Sequence, residues 1–407
     1  MPRWVIPLLL ISTLIIVFET YAFQAIKTVT KNKFIRYGWL LAGALAYINF
    51  FYVIFSSDRS SGQTRQFQYA FGALLIVLLP KLVILLFMLG EDIVRWFQKG
   101  ISYFSKEETQ SLAGRRKFIA QLALGIAAIP FASILYGIFR GKFNYKVIQY
   151  ELPFADLPEA FEGFTITHIT DIHSGSFDNK EQIQYGVDLI NKQNSDVILF
   201  TGDIVNNFAK EMDAWIPMFS QLKAPMGKYS ILGNHDYGDY SKWNSKEEKQ
   251  ANFQAIKDIH PKIGFELLLN ENRYLEKNGE KIALVGVENW GKGFNQAGDL
   301  QKASEGILKE DFKVLMSHDP SHWEYKIKED DFNYQLTLSG HTHGLQFGIE
   351  IPGFIKWSPA KYVYKQWAGL YNEFGRFINV NRGFGYHAFP GRVGIWPEIT
   401  VIKLKKA

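Results

Sequence analysis

Two histidines one residue apart, His341 and His343, close the stretch QLTLSGHTHG (335–344), where an alternating apolar run stops at a glycine-flanked turn. The whole chain of 407 residues has nine histidines. Such a pair is either part of a polar loop or half of a metal site. Four other segments share the plan: FTITHITDIH (164–173), DVILFTGD (196–203), KYSILGNHD (228–236) and FKVLMSHD (312–319). With YQLTLSGHTH (334–343), each is a short run rich in β-branched and apolar residues that ends in Asp, Asn or His. The endings carry His173, His235, His318, His341 and His343 beside Asp171, Asp203 and Asn234. These are oxygen and imidazole donors in about the number that two divalent metals need, with no soft sulfur among them. Any one motif alone could be a turn or a helix cap. The ordered set of five is hard to explain that way.

The elements that must position these residues follow from the pattern. Short apolar runs read as buried strands, and sites in open α/β sheets form where the carboxyl ends of strands converge. Helix-like segments lie between them, such as NKEQIQYGVDLINKQ with Ile183, Val187 and Ile190 on one face. Strands alternating with helices predict an α/β domain.

In order, Asp-x-His (171–173), Gly-Asp (202–203), Gly-Asn-His-Asp (233–236), Ser-His-Asp (317–319) and Gly-His-Thr-His (340–343) resemble the calcineurin-like metallophosphoesterases. The likeness is greatest to their membrane-associated bacterial branch, the one similar to the twin-arginine-exported Bacillus enzyme and to UDP-2,3-diacylglucosamine hydrolases. It spans about residues 147–407 and extends to NVNRGFG and WPEITVIKL in the tail. It implies a β-sandwich flanked by helices and two divalent ions, Mn, Fe or Zn. Asp171, His173 and His343 would hold one ion, Asn234, His318 and His341 the other, and Asp203 would bridge them. A metal-bridging hydroxide would attack a phosphoester, a diester rather than a monoester, with His235 as general acid or transition-state donor. His341 and His343 can serve neighbouring metals only if the turn reorients them, because alternate residues of an extended chain point to opposite sides.

Several residues have two readings. Asp236 either orients His235 or caps a helix. His168 sits at the parity that faces away from the ligands. His322, four residues after His318, suits a surface or supporting role, and His260 in DIHP reads as a loop residue. Arg382 meets either a substrate phosphate or a sheet neighbour, and His387 in GYHAF suits the pocket rim. The segments NWGKGFNQAGDLQKASEG and GFIKWSPAKYVYKQWAGLYNEFGRF, rich in Trp, Tyr and Lys, are places for acyl-chain or head-group contacts or ordinary aromatic core.

The N-terminal part is of another kind. Residues 4–22, 37–56, 69–90 and 118–139 are apolar stretches of about the 20 residues a bilayer-crossing helix needs, and none recurs after 145. The expected organisation is a four-helix transmembrane region over 1–145 and a phosphoesterase domain over 146–407. The first and third connections are rich in Lys and Arg, the first with Lys27, Lys31, Lys33 and Arg36 and the third with Arg95, Lys99, Lys106, Arg115, Arg116 and Lys117. The second has only Arg59 and Arg65. Basic loops stay on the cytoplasmic side, so the domain is expected outside the cytoplasmic membrane. Arg140, Lys142 and Lys146 pull the other way. The pair Arg115–Arg116 reads either as a twin-arginine export signal or as one of these basic clusters. Lys81, after Pro80 in the third stretch, is either a functional intramembrane charge or one that snorkels or pairs with Glu19.

The absence of cysteine excludes disulfides and thiolate chemistry, and the formal net charge of +5 leaves no nucleic-acid footprint. The expected partners are a membrane and a phosphorylated small molecule or lipid. The competing reading is a membrane sensor or scaffold that binds metal or phosphate without turnover.

Overall fold

The structure, a computed structural model, describes residues 5–58, 62, 64–105, 113–351 and 353–407. It divides into two compact units, Met1–Ser57 with Gln66–Tyr136, and Asp58–Arg65 with Gly137–Ala407.

The first unit is built from α1 (Val5–Val29), α2 (Lys33–Ser56), α3 (Arg65–Ser105) and α4 (Ala113–Phe139). Among the described residues, Lys33–Ser56, Arg65–Phe104 and Gly114–Phe139 are long and apolar enough to cross a membrane. The first expected stretch begins at residue 4, which lies outside the described residues. α3 runs well past the apolar stretch ending at 90, because its next turns form a charged face: Glu91 accepts from Arg95 at 2.7 Å and from Arg116 at 2.8 Å. Arg116 also reaches Asp92 and Gln24, and Arg115 reaches Gln98. Both arginines of the pair are therefore held inside the helical unit. Small residues at Ala22, Ala25, Ala120, Ala123 and Ala127 pack with Ile84 and Met88 in its core, which lets helix backbones approach closely.

Lys81 pairs with Glu19 and lies over the rings of Trp39 and Tyr47, 5.2 and 5.6 Å from their centroids. Gly43 makes the room, since a Cβ there would fall 2.6 Å from Glu19 Oε1 and 2.7 Å from Lys81 Nζ. Removing one partner strands the other charge in an apolar bundle. Lys81→Met is expected to destabilise the helical unit by about 3 kcal/mol, and Lys81→Met with Glu19→Leu to recover most of that. Thermal unfolding in detergent, followed by helical circular dichroism, checks both.

The second unit is an α/β sandwich flanked by helices. One sheet has the order β1 (Lys146–Phe154), β14 (Glu398–Lys406), β2 (Thr165–Ile169), β3 (Val197–Phe200), β4 (Lys228–Ser230), β5 (Glu266–Leu267). The other runs β12 (Gly369–Glu373), β13 (Arg376–Val380), β9 (Leu336–Ser339), β8 (Lys313–Met316), β7 (Glu280–Gly286), β6 (Glu271–Lys277). A separate hairpin joins β10 (Ile349–Ile351) and β11 (Ile355–Trp357).

Strand parity builds the layers. In β3, Val197 and Leu199 point into the core between the sheets beside Leu284, Val314 and Leu338. Ile198 and Phe200 point to the outer layer, where α5 (Lys180–Asn191) brings Ile183, Val187 and Ile190. Beyond the short α6 (Ile216–Phe219), α7 (Lys246–Lys262) adds Ile256 and Ile259 to that layer. A strand buried on both faces favours apolar residues at every position, which is why β3 reads as the unbroken run VILF. The pairs β2–β3, β3–β4, β8–β9 and β9–β13 are parallel, so their carboxyl ends lie along one edge of each sheet.

His260, read from the sequence as a loop residue, is buried in α7, with Nδ1 2.8 Å from Ser230 Oγ and its ring on Phe200. Burial pushes its pKa down to about 3. The folded value lies below the unfolded one of about 6.5, so the unfolded chain binds the extra proton and stability is lost as pH falls below 6.5. His260→Gln is expected to flatten the fall of the unfolding temperature between pH 6.5 and 4, measured against the parent chain.

Candidate metal centre

The strands stop before the ligands. β2 ends at Ile169 and β9 at Ser339, and the functional residues occupy the turns that follow. Asp171, His173, Asp203, His341 and His343 all have left-handed backbones, with φ of 52°, 47°, 60°, 70° and 49°. Each such residue costs of order 1 kcal/mol, and such strain persists only where the surroundings impose it. The turns provide the reorientation that the His341–His343 spacing requires. Gly340 is part of the same constraint, because a Cβ there would fall 2.2 Å from Asp171 Oδ2 and 2.1 Å from Thr170 Oγ1.

Two groups of donors result. In the first, His343 Nε2 lies 3.2 Å from Asp171 Oδ1, and His173 Nε2 lies 3.9 Å from the same atom. In the second, His318 Nε2 lies 3.2 Å from Asp203 Oδ2 and 3.1 Å from Asn234 Oδ1, which in turn is 2.7 Å from His341 Nδ1. Asp203 Oδ2 stands between the groups, 3.5 Å from His173 Nε2. The ligand atoms of Asp171, His173 and His343 lie within 4.8 Å of one another, as do those of Asp203, His318 and His341.

Outer contacts orient the rings. His318 Nδ1 donates to the Thr201 carbonyl at 2.7 Å, His173 Nδ1 meets Asn206 Oδ1 at 3.1 Å, and the Tyr364 hydroxyl lies 2.8 Å from His341 Nε2. Contacts of this kind set which ring nitrogen keeps its lone pair for a metal.

Burial alone would make His318 less basic, but the adjacent Asp203 carboxylate outweighs it and raises the pKa to about 10. Burial would likewise raise the two aspartates, yet His343 beside Asp171 and His318 beside Asp203 hold both well below the usual carboxylate range. The site thus favours anionic oxygens and demands positive charge next to them. Asp319 Oδ2, beside His341, is buried without a hydrogen-bond partner. Crowded acceptors, lone pairs facing inward and an unpartnered buried carboxylate oxygen suit hard-to-borderline divalent cations.

His235 hydrogen-bonds through Nδ1 to the Asn206 carbonyl at 2.9 Å, and its backbone N–H donates to Asp203 Oδ1 at 2.8 Å. Of the two readings of Asp236, the structure bears out the cap and not the orientation of His235: its carboxylate caps its own turn, Asn234–Tyr237, through the N–H of Gly233. Its carboxylate accepts from the backbone N–H groups of Asp203, Ile204 and Gly233, each at 2.9 Å, and so clamps two ligand turns together. It makes no bond to the His235 ring because its own turn aims it back at the Asp203 backbone.

Sequence reasoning placed His387 only at the pocket rim and missed Asn206. His387 is half-buried against the cluster, its ring 4.6 Å from that of His173 and 4.4 Å from that of His235, and these three form a third group of possible ligands. Asn206 joins them, with Oδ1 3.2 Å from His387 Nδ1. The paired asparagines after Gly202–Asp203 were the available signal for Asn206. His168 and His322 lie outside the ligand groups. The first is bound by Thr201 and Asn379, the second by Ser317 and stacked on Trp290. Arg382 is paired with Glu398 and Glu350.

Comparison with known proteins agrees with this geometry. Residues 164–345 match the calcineurin-like phosphoesterase family model, and residues 2–142 match that of a probable calcineurin-like phosphoesterase transmembrane domain. An uncharacterized metallophosphoesterase of Bacillus subtilis is 32% identical over 253 residues, covering 61% of this chain and 82% of its own. The chain belongs to the calcineurin-like metallophosphoesterases. A transmembrane protein with a metallophosphoesterase domain from Danio rerio is 28% identical, over 74% of this chain and 66% of its own. An uncharacterized metallophosphoesterase of Aquifex aeolicus is 26% identical, over 68% and 98%. This metallophosphoesterase is therefore a membrane protein and a metal-dependent phosphoester hydrolase.

The Asp236 clamp is testable. Asp236→Ala leaves three backbone N–H groups without their acceptor, and is expected to lower unfolding stability by about 2–3 kcal/mol and to weaken metal binding. Denaturant unfolding and metal titration of the purified chain measure the two effects.

Proposed function

We propose that the enzyme cleaves a phosphodiester or pyrophosphate bond of a lipid head group or cell-envelope component, on the outer face of the cytoplasmic membrane, with two divalent metals. Asp171, His173 and His343 hold one, Asn234, His318 and His341 the other, and Asp203 faces both. The observation that carries the reading is the placement of Asp203 Oδ2 between the two groups, 3.5 Å from His173 Nε2 and 3.2 Å from His318 Nε2. When bound, the metals activate a water and withdraw charge from the phosphate oxygens, and Mn, Fe or Zn suits these ligands.

The chain's own residues complete the reaction. His235 Nδ1 donates to the Asn206 carbonyl, so Nε2 holds a proton only in the doubly protonated ring, and that form passes the Nε2 proton to the departing oxygen. The ring of Tyr240 backs His235, its centroid 4.5 Å away, and its hydroxyl accepts from Asn234 Nδ2 at 2.8 Å. A diester fits better than a monoester dianion because Arg382, the cation that the sequence offered to a phosphate, is paired with two glutamates.

Two features support the outer location. The basic first and third connections favour the cytoplasm. The poorly basic second one, Asp58–Arg65, belongs to the catalytic unit, with Arg65 donating to the Phe177 carbonyl.

The test uses the full chain in detergent, stripped with chelator and given back each metal, on a bis-aryl phosphodiester and an aryl monoester. Metal-restored turnover with the diester faster is expected, and His235→Ala should lower kcat by about 10²–10⁴-fold with metals retained. Faster monoester turnover would remove the diester reading, and bound metals without turnover on either ester would favour the sensor.

A further inference from the structure

The hairpin β10–β11 leaves the chain directly after the ligand turn that holds His343, and its amphipathicity is inverted. Its cross-strand pairs are Ile349 with Trp357, Glu350 with Lys356, and Ile351 with Ile355. Directly opposed residues share a face, so one face is apolar and the other is the Glu350–Lys356 pair. The polar pair makes the bonds to the domain while both residues remain exposed: Glu350 accepts from Arg382 at 2.6 Å, and Lys356 Nζ donates to the Ala368 carbonyl at 2.6 Å. The apolar face is left open. Ile349 and Ile351 are each 51% exposed and Phe354 at the tip 85%, and past the next turn Tyr362 and Val363 are 74% and 68% exposed.

An isolated two-stranded hairpin is marginal in water, so this one depends on its polar anchors, and its open apolar face contributes nothing to the fold. Contiguous apolar surface of this kind marks an interaction site. Three observations name the occupant. The chain carries helices able to span a bilayer, so this domain is covalently tethered beside one. Residues 351–372 contain Lys356, Lys361 and Lys365 and no acidic residue; Lys356 bonds back to the Ala368 carbonyl and Lys365 pairs with Glu324 and Glu373, while Lys361, beside the exposed Tyr362 and Val363, is the cation placed for an anionic head group. Phe354, Trp357 and Tyr362 interleaved with these lysines are the residue types that settle at a membrane–water boundary.

We propose that the segment Leu345–Val363 seats its apolar face in the surface of an anionic phospholipid bilayer and holds the metal centre at head-group level. Both ends of the segment are tied to ligand turns. Ser358 Oγ donates to the Gly344 carbonyl at 2.6 Å, and Tyr364 contacts His341. Arg382, a candidate phosphate contact from sequence, serves as the hairpin's anchor. The inference deepens the lipid-phosphate reading and rests on it for the substrate's position, while the seating itself is measured without turnover.

The chain has no cysteine, so single cysteines can carry an environment-sensitive fluorophore. Full-length F354C, Y362C and, as a reference on exposed β6, E276C are labelled and placed in nanodiscs of phosphatidylglycerol and phosphatidylcholine. Nitroxides on the lipid acyl chains are expected to quench the labels at 354 and 362 several-fold more than the label at 276, and aqueous iodide to show the opposite order. Iodide reaching 354 and 362 as readily as 276 overturns the proposal. So does energy transfer between labelled copies without nitroxide quenching, which would assign the face to a second copy. Turnover of the soluble diester by the same samples separates the two readings: quenched labels on an inactive enzyme sink only the hydrolysis, and unquenched labels on an active one sink only the seating.

Discussion

Burying Asp171 and Asp203 among imidazoles, with both carboxylates held in their charged form, is the constraint around which the catalytic unit is organised. Charge in a low-dielectric interior is tolerated only when opposite charge answers it, and here the imidazoles of His343 and His318 stand against the two carboxylates. The parallel strands deliver the two aspartates from neighbouring positions in one sheet, while His318, His341 and His343 arrive from the other. The site therefore lies across the mouth of the sandwich. Neither sheet alone holds a complete ligand group.

Left-handed backbones at five ligands follow from the same constraint. Extended chain would send alternate side chains to opposite faces, and the tight turns after β2, β3 and β9 collect them on one side. The strain is held by specific bonds: the Asp236 carboxylate on the backbone of Asp203, and Asp171 on the N–H of His341 at 2.9 Å. A motif residue that looked like a participant in chemistry is thus a backbone clamp.

Most of the residues that the fold gathers at the candidate site were legible because a buried strand that ends in Asp, Asn or His is conspicuous in a run of apolar residues. The strands' true ends were less so: FTITHITDIH reads as one extended run, yet the ladder stops at Ile169 because the left-handed residues that follow cannot continue it. His387 was legible only as a rim residue because it follows a loop with no strand pattern, and the fold alone brings its ring beside His173 and His235. The hairpin shows a different limit. Its alternation is visible in IEI and IKW, but alternation does not say which face the protein anchors, and here the polar pair makes the bonds to the domain. In the helical unit, the apolar stretches mark the spans, whereas the charged end of α3 depends on Arg116 from α4 and is invisible to a hydropathy reading.

The central claim is that the buried anionic pocket exists to hold two metals with Asp203 shared between them. Elemental analysis of the purified full-length chain, loaded with manganese, iron or zinc and freed of excess metal, tests it most directly. The account predicts two ions per chain, falling to one or fewer in Asp203→Ala with the helical and sheet content unchanged. A single ion in the parent chain, or two retained without Asp203, would contradict it.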